Sequence, residues 1–254
     1  MKKKMLLFVL LVSGISLSFN TVFTHEKIKG NLPADTIKSL GLQKKGISTF
    51  FKAPNGKTYT VKLEMPLEGL EKDVLDCTTD NFHGIARKMP KTTVVTATAE
   101  NFSVLKAFLS SLIPDNTISP KLHAMTKAQL EQRAPEEKRD IKLTKVFLIA
   151  IKREADNDFH MIIGDGKGNF FNTENSGLVA SSPQTLKDVR KRVVTFMGGA
   201  FCQSQYQTFS PGIPIELEGS LFYDTEHAPG VIGPASARPV TSWEIHPITN
   251  IVFK

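Results

Sequence analysis

The chain has 254 residues, with 32 lysines and arginines against 25 aspartates and glutamates, for a formal charge of +7 at pH 7. That length admits one large or two small cores. The charge falls to +4 without Lys2, Lys3 and Lys4, and what remains has no strong nucleic-acid signature, since such binders cluster basic residues on one face. Only Lys187, Arg190, Lys191 and Arg192 approach a cluster, and a solvated helix face explains them.

Those three lysines precede the apolar run Met5–Val12, and small residues follow at Ser16, Ser18 and Thr24. This is the layout of a signal peptide over residues 1–24. The run is well short of the roughly 20 residues that a transmembrane helix needs, so no transmembrane segment is expected beyond it. The chain is therefore expected to be exported, secreted or periplasmic. Residues 25–45, lysine-rich and broken by Asn31-Leu32-Pro33 and Gly41, read as a tether with a short helix over 34–40.

Residues 46–140 read as an N-terminal α+β segment. Phe50–Ala53, the turn Pro54-Asn55-Gly56 and the alternating run Lys57–Glu64 make a hairpin signal, because Asn-Gly accepts positive φ. The Thr- and Val-rich residues 92–99 predict a strand. Phe102, Val104, Leu105, Phe108, Leu109 and Leu112 recur at helical spacing up to Pro114. The polar stretch 114–138 holds a short helical pattern at Lys127–Gln132.

Residues 141–254 have a clearer grammar. Strands are predicted at Val146–Ile151, Phe159–Ile163 and Phe170–Glu174, and a helix after Ser182-Pro183 with apolar Leu186, Val189, Val193 and Met197, ended by Gly198-Gly199. Two more strands follow at Ile215–Tyr223 and Ser242–Ile248, extended by Ile251–Phe253. Three strands, a helix and two strands is the order of an OB-type barrel. The expected fold is mainly β or α+β, with a C-terminal OB-like five-stranded barrel carrying one helix, preceded by the smaller α+β segment. Cys77 and Cys202, both in loop-like surroundings, are expected to form a disulfide in an oxidising compartment.

Three of the six histidines sit in short acidic motifs: Asp156-Asn157-Asp158-Phe159-His160, Asp224-Thr225-Glu226-His227 and Glu244-Ile245-His246-Pro247. Strand parity puts Asp158 beside His160, away from Phe159 and Met161, and Glu244 beside His246, away from Trp243 and Ile245. Histidine and carboxylate are the ligands available to a divalent metal such as zinc when cysteine is oxidised. His160, His227, His246, Asp158 and Glu244 are candidate metal ligands or their orienters, and Glu174 and Asp224 candidate catalytic groups. Cross-strand pairs that only hold the barrel together are the alternative. Gly164–Gly168 lacks P-loop spacing and reads as a turn, and Asp156-Asn157-Asp158 lacks the glutamate of a calcium loop.

The motifs at Asp156–His160, Gly219–His227 and Glu244–Pro247, with the intervening Glu174, resemble those of a group of exported bacterial domains with OB-like architecture and no assigned activity. The element order is also similar to the thermonuclease branch of OB folds, whose arginine and aspartate motifs are missing here. Two functions are carried forward. One is a binding or structural module with a His/carboxylate cluster on its barrel face. The other is a metal-dependent hydrolase acting on phosphodiesters or another extracellular polymer.

Overall fold

Strand-forming residues dominate the second half of the chain, and the sheet they make recruits the first half. The computed structural model describes residues 42–45, 48–66, 75–198 and 201–254. Strands β1 (Leu42–Lys45), β2 (Ser48–Lys52) and β3 (Thr58–Glu64) form an antiparallel meander. Gly56, at φ +82, closes the turn into β3, its amide donating to Ala53 O at 2.9 Å. Short elements follow: α1 (Lys88–Thr92), β4 (Glu100–Phe102), α2 (Leu105–Ser110), α3 (Asp115–His123) and α4 (Lys127–Leu130). The remainder is β5 (Asp140–Arg153), β6 (Phe159–Gly164), β7 (Phe170–Asn175), α5 (Gln184–Phe196), β8 (Tyr206–Tyr223) and β9 (Trp243–Phe253).

The nine strands form one sheet in the order β1-β2-β3-β8-β9-β7-β6-β5-β4, and β5 pairs with β8 as well. The pairings β5–β6–β7–β9–β8–β5 thus return to their start. Two pairs, β4–β5 and β7–β9, are parallel. The architecture is mainly β with short helices. The sheet also takes in four strands outside that circuit, where a separate five-stranded barrel was expected.

One continuous core joins the meander to the rest. Phe51, Tyr59 and Val61 pack in the same cluster as Phe159, Met161, Phe171, Leu217, Ile245 and Ile251. Phe51 meets the Phe196 ring of α5 at 5.5 Å and Phe209 of β8 at 5.7 Å.

Several sequence expectations change. Residues 42–45 form β1, where the end of a tether was expected; the short helix at 34–40 lies outside the described residues, as does the signal peptide of 1–24. Residues 92–99 are not a strand: Val95 N donates to Ser220 Oγ at 2.8 Å and Arg133 Nη2 donates to Thr93 O at 3.1 Å. Side chains, rather than a neighbouring strand, satisfy that backbone. β8 starts nine residues earlier than predicted, because Pro211, Gly212 and Pro214 read as breakers. Pro211 and Gly212 fall in the register break between the Thr208 and Ile213 pairings with β5, where proline removes no ladder bond.

Cys77 and Cys202 form a disulfide with Cα atoms 5.7 Å apart. The Cys77 loop is further stitched to the β5–β6 turn. Arg153 Nη2 donates to Thr79 O at 2.6 Å, Asn157 Nδ2 donates to Asn81 O at 2.6 Å, and His83 N donates to Asp156 O at 2.9 Å. Among the described residues no helix is long and apolar enough to cross a membrane.

Candidate functional site

Period-two alternation on four adjacent strands assembles the site. Across β5 and β6, Lys152 stands opposite His160, and across β6 and β7, His160 stands opposite Glu174. β7 and β9 run parallel with Asn172 opposite Glu244. Residues directly opposite share a face. Asp158, His160, Asn172, Glu174, Glu244 and His246 therefore line one face, while Phe159, Met161, Phe171 and Ile245 fill the core behind it. The tight β5–β6 turn, with Asn157 at φ +76 and Glu154 N donating to Asp158 O at 2.9 Å, brings Glu154 onto the same face.

The polar atoms converge in two groups that share Glu174. In the outer group, His160 Nε2 lies 2.8 Å from Glu154 Oε2 and in contact with Glu174 Oε1. The other ring nitrogen of His160 is 3.3 Å from the Tyr206 hydroxyl, and Lys152 Nζ is 2.7 Å from Glu154 Oε1. In the inner group, His246 Nε2 lies 3.2 Å from Asp158 Oδ2, and its Nδ1 lies 3.0 Å from Glu174 Oε2 and 3.1 Å from Glu244 Oε1. Asn172 Nδ2 donates to Glu174 Oε1 at 3.1 Å and to Glu244 Oε2 at 2.8 Å, fixing both carboxylates. Asp158, Glu174, His160, Glu244 and His246 are all at most 3% exposed.

Burial disfavours charge here, so neighbours decide who holds it. Burial opposes protonation of His160 and His246, yet the adjacent carboxylates outweigh it and hold both imidazoles well above their usual pKa. Burial likewise opposes ionisation of Glu174, but the two imidazoles hold its carboxyl well below the usual range. Glu244 goes the other way: burial and the charge of Glu174 push it up to about 8. The cluster thus balances its excess of carboxylates with protons.

Only the outer group reaches solvent. A cavity of about 440 Å³ has Glu154, His160 and Glu174 in its wall, with His83–Ala86 of the Cys77 loop, Asp156, Asp224 and His227 around them. Lys91 Nζ stands in this wall 3.9 Å from Asp156 Oδ2.

Five of the sequence candidates meet on this face: His160, His246, Asp158, Glu244 and Glu174. His227 is not in either convergent group, because β8 ends at Tyr223 and strand parity with it. Its Nδ1 bonds instead to Asp224 Oδ2 at 2.6 Å on the cavity wall. Glu174, expected as a candidate base, has its two oxygens facing two imidazoles, those of His160 and His246. Glu154 was missed altogether. The hairpin register could have found it, since it is the residue opposite Asp158 across the turn.

The Asp224–His227 pair yields an expectation of its own. The hydrogen bond to Asp224 outweighs partial burial and raises the His227 pKa to about 9 from 6.5. A raised histidine pKa stabilises the fold fully below the unfolded value, here about 6.5, and the contribution is lost as pH climbs through 9. His227 is therefore expected to titrate by NMR with a midpoint near 9, falling toward the ordinary histidine value in Asp224→Asn. An ordinary midpoint in the unmodified protein would refute the pairing.

No family model matches the chain, and comparisons with curated proteins and with solved structures return no match.

Proposed function

We propose that this chain is an exported cation-binding module in which Glu154, His160 and Glu174 hold a divalent metal such as zinc. The carrying observation is the convergence of Glu154 Oε2, His160 Nε2 and a Glu174 oxygen on the wall of the cavity. Ligand atoms around a tetrahedral zinc, at bonds of roughly 2.0–2.2 Å, sit about 3.3 Å from one another. The contacts of His160 Nε2 with Glu154, at 2.8 Å, and with Glu174 are both shorter than that, so both carboxylates must move outward to admit the ion. Tyr206 and Lys152 would orient the ligands from outside the coordination sphere, a role that commonly tunes metal affinity.

The scaffold of this reading is an OB-like barrel made of β5, β6, β7, β9 and β8. Its support is the closed circuit of pairings, the parallel β7–β9 pair and the position of α5 between β7 and β8. Export is supported by the disulfide and by the leader-like first 24 residues. The motifs quoted above support membership in the group of exported bacterial domains they resemble.

Metal analysis by mass spectrometry decides the central claim. Protein incubated with zinc and dialysed is expected to retain it, and His160→Ala is expected to lose the cavity-facing ion while still folding, with a lowered melting temperature because two buried carboxylates lose their imidazole. Zinc-free wild-type protein, or equal retention by the variant, would sink the proposal.

A hydrolytic reading also has a specific observation behind it. Three protein ligands leave a coordination position for water, and the Asp224–His227 pair shares the cavity with them. A phosphodiester or another extracellular polymer is the substrate class in that case. Turnover of a chromogenic phosphodiester by the zinc-loaded protein, abolished by His227→Ala without loss of zinc, is the result it requires.

A further inference from the structure

We infer that the inner group is a second cation position and that Glu174 bridges the two ions; this rests on the outer site proposed above. Three buried atoms of the inner group, Asp158 Oδ2, Glu174 Oε2 and His246 Nε2, have no hydrogen-bond partner. They are nonetheless close: His246 Nε2 is 3.2 Å from Asp158 Oδ2, Glu174 Oε2 is 3.0 Å from His246 Nδ1, and one ligand atom from each of the three residues lies within 4.8 Å of the others. Polar atoms this deeply buried are nearly always bonded. A buried imidazole and two buried carboxylates gathered within that span can share one cation.

The rest of each side chain is already committed, which fixes the direction of the remaining lone pairs. Asp158 Oδ1 accepts from Gly177 N at 2.5 Å. His246 Nδ1 faces both Glu244 Oε1 at 3.1 Å and Glu174 Oε2 at 3.0 Å, while Nε2 faces Asp158, so a cation held by Nε2 and Asp158 would draw Glu174 Oε2 from the Nδ1 side. A carboxylate on the far nitrogen of a ligating histidine is the usual device for setting its tautomer. Asn172 Nδ2, bonded to both Glu174 and Glu244, ties this support to the bridge.

Glu174 then offers Oε1 to the ion beside His160 and Oε2 to the ion beside His246. Four carboxylates, from Glu154, Asp158, Glu174 and Glu244, surround the pair and offset the repulsion between two divalent ions. Mixed imidazole and carboxylate ligands suit zinc or manganese. Only the outer ion would face the cavity, and the inner one would act through the shared carboxylate.

Manganese provides the test, because it can be counted and its spin reports a neighbour. Wild-type full chain loaded with Mn²⁺ and desalted is expected to hold two ions per chain and to show an exchange-coupled spectrum by electron paramagnetic resonance. Carboxylate-bridged metals lie roughly 3.5–4 Å apart, close enough for that coupling. Asp158→Asn, which keeps an oxygen for Gly177 N, is expected to hold one ion and to lose the coupling. One ion in the wild type overturns this inference while leaving the outer site standing, and none overturns both. Two ions with only uncoupled signals, or two ions retained in Asp158→Asn, also overturn it. Because the wild-type count needs no variant, a poorly folding Asp158→Asn leaves the inference exposed to refutation.

Discussion

Cys77→Ser is expected to lower the unfolding free energy of the oxidised protein by about 4–5 kcal/mol, the chain-entropy value for so long a closed loop. The crosslink spans 125 residues and encloses α1 to α5, so its removal frees a large part of the unfolded chain. Local effects add to this. The disulfide anchors the loop whose Thr79 and Asn81 carbonyls accept from Arg153 and Asn157, and whose His83–Ala86 end walls the cavity. Cation affinity is therefore expected to fall along with stability. Urea unfolding of wild type, of Cys77→Ser and of reduced wild type checks this. The variant and the reduced protein are expected to coincide, and a loss below about 1 kcal/mol in either would show that the entropic argument fails here.

Glu137→Ala is expected to cost about 3–5 kcal/mol, the usual loss when one partner of a buried ion pair is removed. Glu137 is 0% exposed and grips Arg87 with both oxygens, at 2.8 and 2.7 Å. It also accepts from Tyr223 N at 2.9 Å and Ala134 N at 2.7 Å. Truncation leaves a buried guanidinium and two buried amides without that acceptor. Arg87 would keep its donation to Tyr223 O at 2.8 Å and its position 4.4 Å over the Phe222 ring, which soften the loss without replacing the charge. Arg87 also has φ +47, a conformation a long side chain adopts only when its surroundings hold it there. Its neighbour Ala86 is part of the cavity wall, so the variant is expected to weaken cation binding too. Glu137→Gln, which retains the shape, is expected to lose less. Equal unfolding midpoints for wild type and Glu137→Ala would contradict the assignment of this pair as a buried anchor.

The parts of the fold that were legible in the sequence are those where local pattern and tertiary demand coincide. Phe159, Met161 and Ile163 alternate with Asp158, His160 and Ile162, and β6 has those limits to within a residue. The same parity placed Glu244 with His246. The Asn55-Gly56 turn likewise announced its hairpin. The failures have distinct physical causes. Thr and Val at 92–99 have strand propensity, but Arg133 and Ser220 bind that backbone and keep it irregular. The first half of β8 was hidden by Pro211, Gly212 and Pro214; the first two fall at a register break, while Pro214 sits in the ladder opposite Phe147. His227 was grouped with His160 and His246 because its motif resembles theirs, yet it lies beyond the end of β8, where Asp224 takes its ring nitrogen. Glu154 escaped notice since it adjoins no histidine in sequence; only the cross-strand register brings it to His160.

The sheet begins and ends on its shortest members, β1 with four residues and β4 with three. A free strand edge is a template on which another chain can add, and the hazard grows with its length and flatness. Here the long strands β5 and β8 lie in the interior of the strand order, each hydrogen-bonded on both sides for much of its length. Among the described residues little backbone is left at either margin to seed edge-to-edge fibres, which favours side-chain surfaces for any self-association, where charge and shape can discriminate.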